Sequence, residues 1–153
     1  MRLESGRNLR VLAGRRINDN MGVYIAQSVV KLLTQRRIHV VGAKILIMGL
    51  TFKENCPDIR NTRVVDLIEE FSSYHATVDV YDPWINPEEA KLEYDIRPVE
   101  TLPQGYYDAI IIAVGHDQFR TMGSENIRRL GKPSHVLFDV KYMFPAAQVD
   151  ARL

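Results

Sequence analysis

Two short apolar runs, Ile45–Leu50 and Ala109–Val114, limit what this chain can fold into more than any other feature. A strand with one wet face alternates apolar and polar residues. Runs this short, with scarcely a break, belong to strands covered on both faces. They fall far below the about 20 apolar residues that a membrane-spanning helix needs. After the first run the apolar period changes to that of a helix. Val64, Val65, Leu67, Ile68 and Phe71 make one apolar stripe, with Asp66, Glu69 and Glu70 turned toward water.

The rest of the chain repeats that alternation. A strand is expected over Lys44–Met48 and another over Thr77–Tyr81, stopped by Asp82-Pro83. Strong strands follow at Tyr107–Val114 and His135–Val140, with a weaker one at Ile96–Val99. Pro87 opens a short polar helix, since proline suits the first helical turn, and a further helix is expected at Ser124–Leu130. Ahead of the sheet, Asn18 or Asp19 caps a helix that runs to about residue 38 by the capping and period rules. Val23, Tyr24, Ala26, Gln27, Val30 and Leu33 recur along it, and Gln35-Arg36-Arg37 places positive charge in its last turn. Residues 1–16 are basic and weakly patterned, and His39–Ala43 reads as a linker. Strand–helix–strand repetition argues for a Rossmann-like, three-layer α/β/α sandwich. Its sheet is mostly parallel with right-handed crossovers, and a long helix precedes it.

In such sheets ligands bind at the carboxyl ends of the strands. The connection after the first strand, Gly49–Thr62, is therefore the first place to look for chemistry. It is long and carries Lys53, Asp58 and Arg60. Lysine can meet a phosphate as a point charge, with Asp58 and Arg60 ordering the loop. A solvated polar loop with one weak ion pair fits the same residues. Phe52 is either core or a lid on a ligand. Lys141, at the end of the last strand, faces the same edge if the sheet is parallel, so two lysines from different loops converge on one crevice. Gly49 stands alone, so the Gly-x-Gly-x-x-Gly cradle of a dinucleotide-binding turn is absent.

Other candidates weaken on inspection. Cys56 has no evident base to activate it and reads as structural. His116 could touch a ligand, but capping of the following turn with Asp117 is favoured. Asp82 could meet a ribose hydroxyl or cap the turn before Pro83. No His/Cys/Asp spacing resembles a zinc site. The net charge is +1, which argues against nucleic acid or a membrane surface as partner. The single cysteine and the polar first residues fit a cytosolic chain.

Phe52-Lys53-Glu-Asn-Cys-Pro-Asp58-Ile-Arg60-Asn-Thr62 resembles the Phe-Lys-x-x-x-x-Asp-x-Arg-x-Ser/Thr signature of the UDP-glucose/GDP-mannose dehydrogenase family. Ala13-Gly-Arg-Arg-Ile-Asn-Asp-Asn-Met-Gly-x-Tyr24 resembles the end of that family's central dimerisation helix. Tyr81-Asp-Pro83, Ala113-Val-Gly-His116-Asp-Gln-Phe119 and Phe138-Asp-Val-Lys141 resemble its later landmarks, in the same order. The Gly-Arg-Arg-Ile-Asn-Asp wording is closest to bacterial enzymes that oxidise UDP-N-acetyl-hexosamines for surface polysaccharide.

The resemblance implies an NAD-dependent oxidation of the sugar C6 to a carboxylate, with the uridine diphosphate held by a C-terminal Rossmann-like domain. It implies that residues 1–40 end the central helix region and that residues 41–153 form the UDP-sugar-binding domain. Lys53 then matches the lysine on the UDP part of the substrate, and Phe52 the neighbouring aromatic. Asp58 and Arg60 match the loop-ordering pair. Lys141 falls at a basic ligand-contacting position where arginine is common. Arg16 lies near a position that reaches the partner subunit's sugar site. The family's NAD domain and catalytic cysteine have no counterpart here. The expectation is a cytoplasmic, homodimeric UDP-sugar binder with no cofactor of its own, inactive alone. A ligand-free Rossmann-like interaction module is the alternative.

Overall fold

The computed structural model describes residues 13–153, with side chains from Met21 onward. Helix α1 spans Ala13–Gln35. Strand β1 (Lys44–Met48), α2 (Val64–Ser73), β2 (Thr77–Tyr81) and α3 (Pro87–Tyr94) follow. Then come β3 (Tyr107–Ile112), α4 (Asp117–Arg128), β4 (Gly131–Asp139) and, after a single 3-10 turn, β5 (Ala151–Arg152). The five strands form one sheet in the order β2-β1-β3-β4-β5, and every pairing is parallel.

Strand parity sorts the core into two layers. Ile45, Ile47, Ala109, Ile111, Val136 and Phe138 face α1 and α2, where they meet Ile25, Ala26, Val29, Leu33, Leu67 and Phe71. Leu46, Met48, Ile110, Ile112 and Leu137 face the other way, toward Phe119 and Ile127 of α4. Both faces of the sheet are thus covered, which is why the strands read as unbroken apolar runs.

Helix α1 belongs to this core. Ile25, Ala26, Val29 and Leu33 are buried, at the spacing of one helical face. That stripe is rotated from the expected one: Tyr24 and Gln27 are exposed, and Val23 and Val30 are half-buried. Gly22 lets the helix approach α2, since a Cβ there would lie 3.1 Å from the Leu67 backbone nitrogen. The helix ends at Gln35, earlier than expected. Arg37 is left-handed at φ 60°, and the Ile38 and Arg37 amides donate back to the Leu33 and Thr34 carbonyls. Arg36 then reaches across to Asp150 at 2.9 Å, tying the helix end to the far edge of the sheet.

Ile96–Val99 is not a strand. The Val99 amide donates to the Val80 carbonyl at 2.8 Å, but no ladder follows. Pro98 lacks the donor that a second rung needs. Helix α4 starts at Asp117, not Ser124, and kinks at Gly123, whose φ is 82° and ψ 155°. Strand β4 starts at Gly131, before the expected His135. Its register against β3 slips between the Tyr107↔Gly131 and Ala109↔Val136 pairs, and the intervening residues include Pro133.

Candidate functional site

The strand order reverses between β1 and β3, so their outgoing connections diverge and leave a crevice at the carboxyl edge. Gly49 makes the first of these turns. Its φ is 108°, and a Cβ there would sit 2.5 Å from Val114 Cβ and 2.9 Å from the Val114 nitrogen. Any larger residue would both strain the backbone and collide with Val114, just beyond β3.

A buried polar group organises the next residues. The Asp82 carboxylate, at the end of β2, accepts the Leu50 and Thr51 amides at 2.7 and 3.2 Å on one oxygen. Its other oxygen accepts the Trp84 amide at 2.8 Å. His116 lies fully buried after β3, with Nε2 3.0 Å from Asp82 Oδ2. Its Nδ1 accepts the Asn55 amide at 2.9 Å. A ring nitrogen that accepts an N–H carries no proton, so the neutral ring holds its proton on Nε2 and donates it to Asp82. The Thr51 hydroxyl donates to the Lys53 carbonyl at 2.8 Å and lies 3.2 Å from the same Nε2. Asn55, left-handed at φ 55°, accepts the Asp117 amide on its side chain at 3.0 Å. His116 and Asp82 thus hold three separate connections together, and the His116 side chain makes no capping bond to the helix it precedes.

Further along, the Phe52 amide donates to the Asp58 carbonyl at 2.8 Å. Arg60 grips the Asp58 carboxylate with Nε at 2.9 Å and Nη2 at 3.0 Å, and its own amide donates to Oδ1 at 2.9 Å. The Arg60 side chain, and then its amide, hold the Asp58 carboxyl down at about 2. Between them Ile59 is fully buried, and its carbonyl accepts the Tyr94 hydroxyl at 2.7 Å. The loop is thus anchored at Thr51, Asn55 and Ile59, and Lys53 and Arg60 stand exposed between the anchors.

Phe52 is 58% exposed, which removes the core reading. Lys141 lines a crevice of about 360 Å³ together with Glu54, Asn55, Gly115, Asp117, Arg120 and Met143. It also lines a more apolar cavity of about 250 Å³ against Met21, Ile25, Val64 and Ala113. Lys53 lies on the same rim but lines neither cavity; Glu54 and Asn55 form the loop's share of the crevice wall. Sequence reasoning missed Asn55 and Arg120. Asn55 carried a weak signal, since asparagine tolerates left-handed backbone. Arg120 carried none; it is paired with Asp117 at 3.1 Å. The side chain of Arg16 lies outside the described residues. Cys56 is a free, half-buried thiol.

Among the described residues, no three His, Cys, Asp or Glu side chains gather as a metal site. No described helix is long and apolar enough to cross a membrane.

Comparison with known proteins gives the fold a lineage. Residues 46–146 match the UDP binding domain of the UDP-glucose/GDP-mannose dehydrogenase family. The chain is 56% identical over 143 residues to UDP-N-acetyl-D-glucosamine 6-dehydrogenase of Pseudomonas aeruginosa, covering 94% of this chain and 34% of that protein. It is 54% identical over 143 residues to the protein of the same name from Salmonella typhi, with the same coverage of both chains. Its backbone superposes on a solved NDP-N-acetyl-D-galactosaminuronic acid dehydrogenase from Methanosarcina mazei with a TM-score of 0.78, at 21% identity, over 97% of this chain and 30% of that one. The chain therefore spans about a third of the length of the relatives it matches. A parallel sheet with its reversal at β1 and β3, an anchored Phe-Lys loop on that rim, and these matches together make this chain a member of the UDP-glucose/GDP-mannose dehydrogenase family, in its UDP-binding domain.

Proposed function

We propose that the rim formed by the loops after β1, β3 and β4 binds the uridine diphosphate part of a nucleotide sugar. The reading extends to an NAD-dependent enzyme that oxidises C6 of the sugar to a carboxylate, in the cytoplasm, for surface polysaccharide. Two named relatives at more than half identity support the sugar class, a UDP-N-acetyl-hexosamine. The observation that carries the reading is the loop itself: Phe52, Lys53 and Arg60 are held out from the sheet by the buried Thr51 and Ile59 and the hydrogen-bonded Asn55, and Asn55 also lines the Lys141 crevice. A rigid loop presents its charges to a diphosphate without first losing conformational freedom, which is what makes such a site bind. Lys53 supplies a point charge to the diphosphate, Phe52 an exposed ring beside it, and Lys141 a second cation from across the crevice. Asp58 keeps Arg60 in place. Binding energy gathered on the nucleotide would position the sugar against chemistry that other parts of such an enzyme supply. Residues 1–40, of which 1–12 lie outside the described residues, are read as the end of a central helix region and residues 41–153 as the binding domain. Arg16 is proposed to serve a partner subunit's sugar site.

Calorimetric titration with UDP tests this. The chain should bind UDP, and Lys53→Ala should weaken it by about tenfold, the worth of one charge-assisted contact. Equal binding by both chains removes Lys53 from the site. No binding by either at millimolar UDP leaves the ligand-free module as the better account.

A further inference from the structure

We propose that His116, held as its Nε2–H tautomer by Asp82, is the positioning residue that fixes the Lys53–Asn55 turn and so sets the loop's affinity for a nucleoside diphosphate. The inference deepens the functional reading above and rests on it.

The imidazole makes two bonds with different destinations. Nε2 faces the core, where Asp82 already gathers the Leu50, Thr51 and Trp84 amides. Nδ1 faces outward and holds the amide of Asn55, a residue of the crevice wall. The turn between them begins at Lys53, whose carbonyl is tied to Thr51, and ends at Asn55, whose side chain is tied to Asp117. Lys53 and Glu54 are thus pinned from both sides. The ring itself has little freedom: Trp84 stacks on it at 6.1 Å and 30°, and Phe119 meets it edge-on at 5.3 Å and 64°. A flipped ring would offer carbon to the Asn55 amide. The Nδ1–H tautomer would offer it a second donor. Either would leave a partly buried N–H unpaired, so the Asp82 bond that selects the tautomer also selects the shape of the turn.

Two substitutions separate the bonds. Glutamine can place an amide N–H where Nε2 sits, toward Asp82, and nothing where Nδ1 sits. Asparagine can place a carbonyl where Nδ1 sits, toward Asn55, and nothing toward Asp82. Each loses one buried hydrogen bond, so both should lower the melting temperature. Affinity should split them. His116→Gln should weaken UDP binding by about tenfold and speed exchange of the Asn55 amide, whereas His116→Asn should stay within about threefold of the parent chain. Nitrogen NMR of the parent chain, which needs no variant, should show the His116 proton on Nε2. The proposal is overturned by a proton on Nδ1, by a glutamine variant that binds UDP as the parent does, or by equal losses in the two variants. The two readings fail separately. A parent chain with the Nε2 proton and a protected Asn55 amide but no UDP binding overturns the functional reading. A parent chain that binds UDP with the proton on Nδ1 overturns the role of His116.

Discussion

The Asp58–Arg60 pair shows how a solvent-facing contact can still matter. Its two side-chain bonds and one backbone bond form a closed local ring. Exposed ion pairs contribute little to stability, so its value lies in the shape it gives the loop. The carboxyl is held at about 2, below its ordinary 3.8, first by the Arg60 side chain and then by the Arg60 amide. A depressed carboxyl contributes stability above the unfolded value and loses it as pH falls. The pair's contribution is therefore complete above 3.8 and fades as acid approaches about 2. Carbon NMR of the Asp58 carboxyl should give a midpoint near 2, and Arg60→Ala should move it up toward 3.8. An unchanged midpoint in the variant would mean that the arginine does not hold the carboxylate. This pair was visible in the sequence because its members are two residues apart. The His116–Asp82–Asn55 group was not, since its members lie in three separate connections and meet only once the strands are paired.

At the scale of the element, α1 has two faces with different fates. Ile25, Ala26, Val29 and Leu33 are buried against the sheet and α2. Met21 and Tyr24 are 39% and 56% exposed, and Gln27 and Lys31 lie outward with them. Large exposed side chains on one helical face are the material of a subunit contact. The proposed homodimer would form there. Sedimentation equilibrium should show a monomer–dimer transition that Tyr24→Glu shifts toward monomer by about tenfold or more, since the charge would be buried against its copy. A parent chain that stays monomeric over the whole concentration range would exclude the contact. The sequence announced the helix but misplaced its face, because Ile25 and Val29 compete with Tyr24 and Val30 for the apolar stripe. Tertiary packing against Leu67, through the close approach at Gly22, decides it.

For the whole molecule, the alternation of apolar runs and helical stripes was enough to place the layers, the parallel sheet and the loop-bearing rim. What escaped was set by long-range pairing. Strand β5 is two residues long and exists only because β4 offers an edge. Ile96–Val99 has strand composition, but Pro98 interrupts its pairing. The rim residues were legible as types and places, and the crevice wall was not: Lys141 lines it, whereas Lys53 yields its expected place there to Glu54 and Asn55. We propose this rim as the nucleotide site. The most direct measurement is an amide chemical-shift map of the chain titrated with UDP. Shifts should concentrate on Lys53, Glu54, Asn55, Gly115 and Lys141, with the opposite, amino-terminal edge of the sheet at Lys44, Asp108 and Lys132 unmoved. Shifts confined to that opposite edge, or none at saturating UDP, would contradict the account.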